Sequence, residues 1–309
     1  MPASSAPTRS PGSILCLGEA MVDLVCERPI ESLTAADSFV PHFGGATANV
    51  AVMAARAGAS VTLAGGAGDD EWGQWLHDRL VRENVDVSRF ELLAGLRTVV
   101  SLVSIDEQGE AHHERYGDAF GTVVPALDDR VDRAVDEAAA LLISAGTLAE
   151  PEERAVTMRA REVALELGRP VVFDANLRHH RWRSRADAAA SANACVPRAL
   201  LVTVSASEAA WMSGEDDPEA AATALLKAGA RLVVVTLGAE GAILRGELRA
   251  NVPGVQAEIL STVGAGDTLT AALVARLAGS DFYTPSVAAG LGDAVAEAAR
   301  SCERWGAID

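Results

Sequence analysis

The chain has 309 residues, 49% of them hydrophobic, enough for one large domain or two small ones with a sizeable core. Its formal net charge of −17 excludes nucleic acid and anionic membrane surfaces as partners. Cys16, Cys26, Cys195 and Cys302 form no C-x-x-C pair, and no apolar run is long enough to span a membrane, which points to a cytoplasmic protein with free thiols and no zinc site.

Residues 1–12, rich in Pro, Ser and Ala, are expected to be a disordered tail, which leaves 13–309 as one domain. Residues 14–17 read as a buried strand ending in Gly18-Glu19. Residues 21–26 continue it, with Asp23 in an apolar context, and 27–43 read as irregular. Gly44-Gly45 opens a small-residue helix over 46–57, closed by Gly58. A strand at 61–64 and an amphipathic helix over 70–84 follow.

Residues 97–105 and 111–116 alternate around Asp106-Glu107-Gln108-Gly109-Glu110, which predicts a hairpin. Continuous apolar strands at 140–144, 171–174, 200–204 and 232–236 alternate with helices at 151–168, 185–196 and 217–229. That pattern predicts a mostly parallel α/β sheet covered on both faces. Ligands bind beyond the carboxyl ends of such strands. Gly18-Glu19, Ser144-Ala145-Gly146, Asp174-Ala175-Asn176, Ser205 and Gly238 should therefore line one crevice. The hairpin, at about 95–122, with 27–43, is expected to form a small β-sheet lid over it.

Ser261-Thr262-Val263-Gly264-Ala265-Gly266-Asp267 is a glycine-punctuated turn running into a helix marked by Leu269, Leu273 and Leu277. The N–H groups of Gly264, Ala265 and Gly266 would converge at the positive end of that helix, an anion site suited to a phosphoryl group. Asp267 there suits a general base, or a helix cap. No P-loop, dinucleotide fingerprint or G-x-S-x-G elbow occurs. His112-His113 and His179-His180 lack metal spacing and are expected on the surface.

Gly44-Gly45-Ala46-Thr47-Ala48-Asn49 and Thr262-Val263-Gly264-Ala265-Gly266-Asp267 resemble, in order, the two signatures of the ribokinase-like (PfkB) carbohydrate kinases. Gly66-Ala67-Gly68-Asp69-Asp70-Glu71-Trp72-Gly73 and Val235-Thr236-Leu237-Gly238-Ala239-Glu240-Gly241-Ala242 are similar to further family stretches. Gly18 to Asp23, Glu150-Pro151 and Asp174 to Arg178 with Trp182 resemble the fructokinase and 2-keto-3-deoxygluconate kinase branch. The resemblance spans about residues 13–307 and implies a ribokinase-like three-layer α/β/α fold with a β lid, often paired into a homodimer.

It also implies an ATP-dependent sugar kinase that uses Mg2+. Asp267 would be the base, and Gly264, Ala265 and Gly266 the phosphoryl cradle. Asp23, Gly44, Gly45, Asn49 and Arg178 would bind sugar; Thr236, Gly238, Gly241, Ser205, Glu208 and Asp293 would lie on the nucleotide side, with Glu208 tied to the metal. Ser261 stands where the family usually has Asp, which argues against its monovalent-cation site, and Ser205 replaces the Asn of N-x-x-E. A sugar acid as substrate would need an arginine, and Arg97, Arg115 and Arg178 are the candidates; the charge balance favours a neutral sugar. A nucleoside kinase or a non-catalytic sensor on the same fold are the rival readings.

Overall fold

The computed structural model describes residues 13–308 except 120, 129, 179 and 180. The expected tail at 1–12 and the His179-His180 pair lie outside the described residues.

The chain runs β1 (Ile14–Leu17), β2 (Met21–Pro29), β3 (Val40–Gly44), α1 (Ala46–Arg56), β4 (Val61–Gly68), α2 (Glu71–Arg82) and β5 (Asp86–Leu93). The hairpin β6 (Val100–Ile105) and β7 (Ala111–Tyr116) follows, then α3 (Arg130–Glu137), β8 (Ala140–Ser144), α4 (Pro151–Glu166), β9 (Val171–Asp174) and α5 (Arg185–Asn193). The last part is β10 (Leu201–Ser205), α6 (Ala206–Ser213), α7 (Pro218–Lys227), β11 (Leu232–Thr236), β12 (Gly241–Gly246), β13 (Ala250–Pro253), α8 (Ala265–Gly279) and α9 (Pro285–Ser301).

Nine strands form one sheet in the order β13-β12-β11-β10-β9-β8-β1-β4-β5. It is parallel from β11 to β5, and β12 and β13 extend it antiparallel. Helices cover both faces, which is why the central strands are apolar without alternation. Ile14 and Cys16 pack with residues of α1, α2, α8 and α9, such as Val50, Leu76, Leu273 and Leu291. Leu15 and Leu17 pack on the other face with residues of α3 to α7, such as Val135, Ala160, Ala188, Ala209 and Leu225.

The second sheet has the order β3-β2-β6-β7. Residues 21–26 thus do not continue β1: the chain turns at Glu19-Ala20, and β2 pairs with β6 and β3. The stretch 27–43 is less irregular than expected, since it holds the end of β2, a 3₁₀ turn at Leu33–Ala35 and most of β3. The lid is a four-stranded mixed sheet.

Strand register then builds the crevice. Ser144 pairs with Asp174, Asp174 with Thr203, and Ser205 with Thr236, so the polar ends of β8 to β11 stand in a row. The Gly68-to-Gly73 stretch is a structural clamp. A Cβ on Gly73 would lie 1.9 Å from Gly68 O, and Asp70 caps α2 through Gly73 N while accepting Thr98 N at 2.7 Å.

Candidate active site

The turn before α8 is shaped by its local chemistry. Gly264 is the N-cap at φ 80°, and a Cβ there would meet Ala307 Cβ at 2.5 Å, so both conformation and space require glycine. Ser261 is buried and its hydroxyl accepts Val263 N at 3.2 Å. Leu260 N and Ser261 N both donate to Cys302 O, which ties the turn to the end of α9. Gly264, Ala265 and Gly266 line a crevice of about 1350 Å³ at the positive end of α8. The Ala265 N–H is not wholly free, because it closes the turn onto Thr262 O at 3.3 Å.

Asp267 is 2% exposed and makes no cap bond to its own helix. Asn49 Nδ2 donates to its Oδ2 at 2.8 Å, and Asn176 Nδ2 to its Oδ1 at 3.0 Å. The two amides aim the carboxylate while leaving it lone pairs. Burial raises its pKa from the ordinary carboxylate range; Arg178 and the two amides oppose that shift, and Glu208 adds to it. Asn49 is therefore no mere helix cap.

The residues expected to bind sugar adjoin this carboxylate. Asp23, in β2, is 4% exposed, and its Oδ1 has no hydrogen-bond partner; the same holds for Asn49 Oδ1. Buried acceptors left open in this way suit the hydroxyl donors of a polyol. Gly44 must be glycine because a Cβ would lie 2.3 Å from Asp23 Oδ2, and Gly45, at φ 100°, because a Cβ would lie 2.5 Å from Glu19 O. Burial pushes the Asp23 carboxyl up to about 6, against the pull of Arg178 and Arg115 and with a push from Asp267. Arg178 thus sits where it acts on both carboxylates, in a short loop where Asn176 (φ 28°) and Arg178 (φ 46°) are both left-handed. Backbone strain of that kind concentrates at functional sites.

Of the residues expected to bind nucleotide, Thr236, Gly238, Gly241, Ser205 and Glu208 all line the crevice. Glu208 is heavily engaged: Oε1 accepts Leu177 N at 2.7 Å, and Oε2 accepts Ser205 N and Ser205 Oγ in a capping box. It braces the loop that carries Asn176 and Arg178. Asp293 is a correction. It lies off the crevice wall on the exposed side of α9, paired with Arg276, because the inward face of that helix presents Val295, Ala298, Ala299 and Cys302.

Three further residues belong to the site. Asp174 lines the crevice, accepts Thr203 Oγ1 at 3.1 Å, and is held well above the ordinary carboxylate pKa by burial and by Asp267 and Glu208. Its place at a strand end was the signal for it and for Asn176. His113, expected on the surface, is half-buried, with its side chain only 8% exposed; it bonds Ser101 Oγ at 3.0 Å and stands 4.0 Å from Asp23. Arg97 is 80% exposed and pairs with Asp118 at 2.9 Å, so it is no sugar-side residue.

An aimed buried carboxylate, an anion cradle and a polyol-sized acceptor set define a phosphotransferase acting on an alcohol. The family model for pfkB family carbohydrate kinases matches residues 12–307. Fructokinase-1 of Oryza sativa subsp. japonica is 30% identical over 85% of this chain and 82% of its own. The fructokinase of Vibrio cholerae O395, solved with fructose, ADP and calcium, is 27% identical with a TM-score of 0.79 over 97% of this chain and 96% of that one. The aminoimidazole riboside kinase of Salmonella enterica, solved with aminoimidazole riboside and an ATP analogue, is 26% identical with a TM-score of 0.80 over 96% and 95%. The chain belongs to the pfkB family of carbohydrate kinases and is an ATP-dependent sugar kinase with the ribokinase-like fold.

Proposed function

We propose that the protein transfers the γ-phosphoryl group of ATP to a hydroxyl of a small neutral sugar, fructose being the first candidate, with Asp267 as general base. The observation that carries this reading is the Asp267 carboxylate, buried at the head of α8 and held by Asn49 and Asn176. As the sugar oxygen bonds to phosphorus and the bridge to ADP breaks, the hydroxyl proton passes to Asp267. The first-turn N–H groups of α8 hold the transferring oxygens, and Asp23 and Asn49 fix the sugar.

The residues present fit a divalent cation. Asp174, Glu208 and Asp267 crowd negative charge on one wall, with the hard oxygen donors that Mg2+ takes. Among the described residues no group of three His, Cys, Asp or Glu could hold a metal alone, which suits an ion held mostly by nucleotide oxygens and water, near Asp174 and Glu208. When bound, it neutralises phosphate charge.

A neutral substrate fits the balance of charge: Arg115, Arg178 and Arg181 stand among Glu19, Asp23, Glu153 and Asp267. A sugar acid is the second reading, favoured by the positive charge that Arg115 and Arg178 place around Asp23. The four buried free cysteines agree with a cytoplasmic setting, and the lid edge offers a dimer surface. The test is ADP release against ketoses, aldoses, sugar acids and nucleosides. The highest kcat/KM is expected on a neutral ketohexose; a sugar acid or nucleoside in first place overturns the proposal.

A further inference from the structure

The stretch that follows α9 passes behind both halves of the proposed site, and the phosphoryl-transfer step uses none of its side chains. It is first tied to the turn before α8, where Cys302 O accepts Leu260 N at 2.8 Å and Ser261 N at 3.2 Å. Four residues on, Gly306 turns the chain at φ 70°, and a Cβ on it would lie 2.4 Å from His42 Nδ1. Ala307, fully buried, then lies against Gly264: a Cβ on that glycine would meet Ala307 Cβ at 2.5 Å and Ala307 Cα at 2.8 Å. Ile308, 2% exposed, makes an antiparallel bridge with Phe43 of β3.

Each of these contacts is one step from a residue of the proposed site. Gly264 is the N-cap of α8 and opens the glycine turn that carries Asp267. His42 and Phe43 pair in register with Asp23 and Val22 of β2, and β3 ends at Gly44, which packs against the Asp23 carboxylate. Three consecutive residues therefore touch the anion cradle on one side and the strand behind Asp23 on the other. Ala307, Ile308, Phe43, Met53 and Val263 belong to one apolar cluster, and close-packed interiors transmit the displacement of one member to its neighbours. Alanine suits position 307: a longer side chain would press on Gly264, and none at all would leave a gap beside it.

We propose that Gly306, Ala307 and Ile308 are positioning residues that set the separation between the phosphoryl cradle at the head of α8 and the Gly44 end of β3. This rests on the reading of Gly264, Ala265 and Gly266 as the cradle. Reacting atoms must come within about 3–3.5 Å of each other, and a misplacement of about 1 Å can cost roughly 10²-fold in rate. Binding of ATP alone, or of sugar alone, does not depend on that separation, so the segment acts on kcat.

Substitution at 307 tests this, with kcat and both KM values measured on folded enzyme below its melting temperature. Ala307→Gly and Ala307→Val should each lower kcat by roughly ten- to a hundredfold while both KM values change little. Ala307→Ser, close to alanine in volume, should keep the wild-type kcat. A merely structural residue would lower the melting temperature and leave the kcat of the folded enzyme alone. Should the Ala307 variants fail to fold, Ile308→Ala, which leaves the backbone bridge to Phe43 in place, carries the same expectation of a fall in kcat. Unchanged kcat in these variants, or a rise in both KM values with kcat kept, overturns the proposal. Gly266→Ala tells a failure of the cradle reading apart: a Cβ there meets nothing within 4 Å, so the variant should fold and place a methyl group at the cradle. Normal kcat in Gly266→Ala sinks the cradle and the proposal with it. A low kcat there, beside normal kcat in the Ala307 variants, sinks the positioning role alone.

Discussion

Asn49 Nδ2 donates to Asp267 Oδ2 at 2.8 Å across 218 positions of sequence. This one bond joins the two signature stretches, since Asn49 stands in α1 behind Gly44-Gly45 and Asp267 in the first turn of α8. On the proposed reading, one amide serves both the sugar contact and the catalytic base. An amide donor also favours the ionised carboxylate, which a base requires.

Asp267→Asn keeps the size and removes the charge. Folding and ATP binding should survive, and kcat should fall by about 10² or more, the range of general-base loss. Because burial raises the Asp267 pKa, the acid limb of the wild-type kcat profile should lie above the ordinary carboxylate range. Near-normal turnover in the variant, measured by ADP release, would sink the assignment.

Much of this site is legible in the sequence. The glycine turn with Asp267, the Gly44-to-Asn49 helix start and the strand ends at Asp174, Ser205 and Thr236 carry local signals: helix starts, glycine turns and apolar runs that stop at a polar residue. What stayed hidden depended on pairing partners. The apolar context of 21–26 looks the same whether it extends β1 or crosses to the lid, and only pairing with Val100 to Val103 settles it. Alternation at 111–116 gave a strand but not which face His113 would bury, since period two is symmetric until a partner sheet is chosen. The short antiparallel strands β12 and β13 carry little pattern of their own. Asp293 shares its helix with crevice-lining residues, and nothing in the sequence tells which side of the turn faces in.

Asp23 is held at a cost. Its folded pKa of about 6 exceeds the ordinary value of 3.8, so the folded state binds the proton more tightly. The resulting stability is fully present below the unfolded pKa and is lost as pH rises from about 4 to about 6, amounting to roughly 3 kcal/mol at most. Asp23→Asn should therefore melt no lower than the wild type at neutral pH. Asp23→Ala should raise the sugar KM far more than the ATP KM. Equal effects on both, or only a fall in melting temperature, would mark Asp23 as structural.

Ser261 fills the place of a charged side chain with a hydroxyl spent on Val263 N. No carboxylate is supplied to a monovalent cation at that position. Activity in sodium, potassium and Tris buffers at matched ionic strength should be similar. Strong activation by potassium would mean that backbone carbonyls alone form the site.

The hairpin β6–β7 gains stability by joining β2 and β3 in a four-stranded lid, whose outer edges stay exposed. One face is buried against the domain through Val25, Val99 and Val103, while Tyr116 at one edge is 53% exposed and Val40 at the other 37%. A homodimer through the lid is expected. Light scattering that returns a monomer at micromolar concentration would refute it.

Arg115 separates the two substrate readings. From β7, beyond Ser101 of β6, its charge acts on Asp23, and burial with the nearby Arg178 and Arg181 lowers its pKa to about 10, so it remains a cation at neutral pH. Asp118, three residues on, is paired with Arg97. If a substrate carboxylate is bound there, Arg115→Ala should cost about 1.5–3 kcal/mol in kcat/KM, the scale of a charged hydrogen bond. With a neutral sugar the residue only tunes Asp23, and the loss should be much smaller. Assaying wild type and Arg115→Ala side by side on fructose and on 2-keto-3-deoxygluconate decides it. A wild-type kcat/KM for the acid well above that for fructose, abolished in the variant, would replace the neutral sugar with the acid.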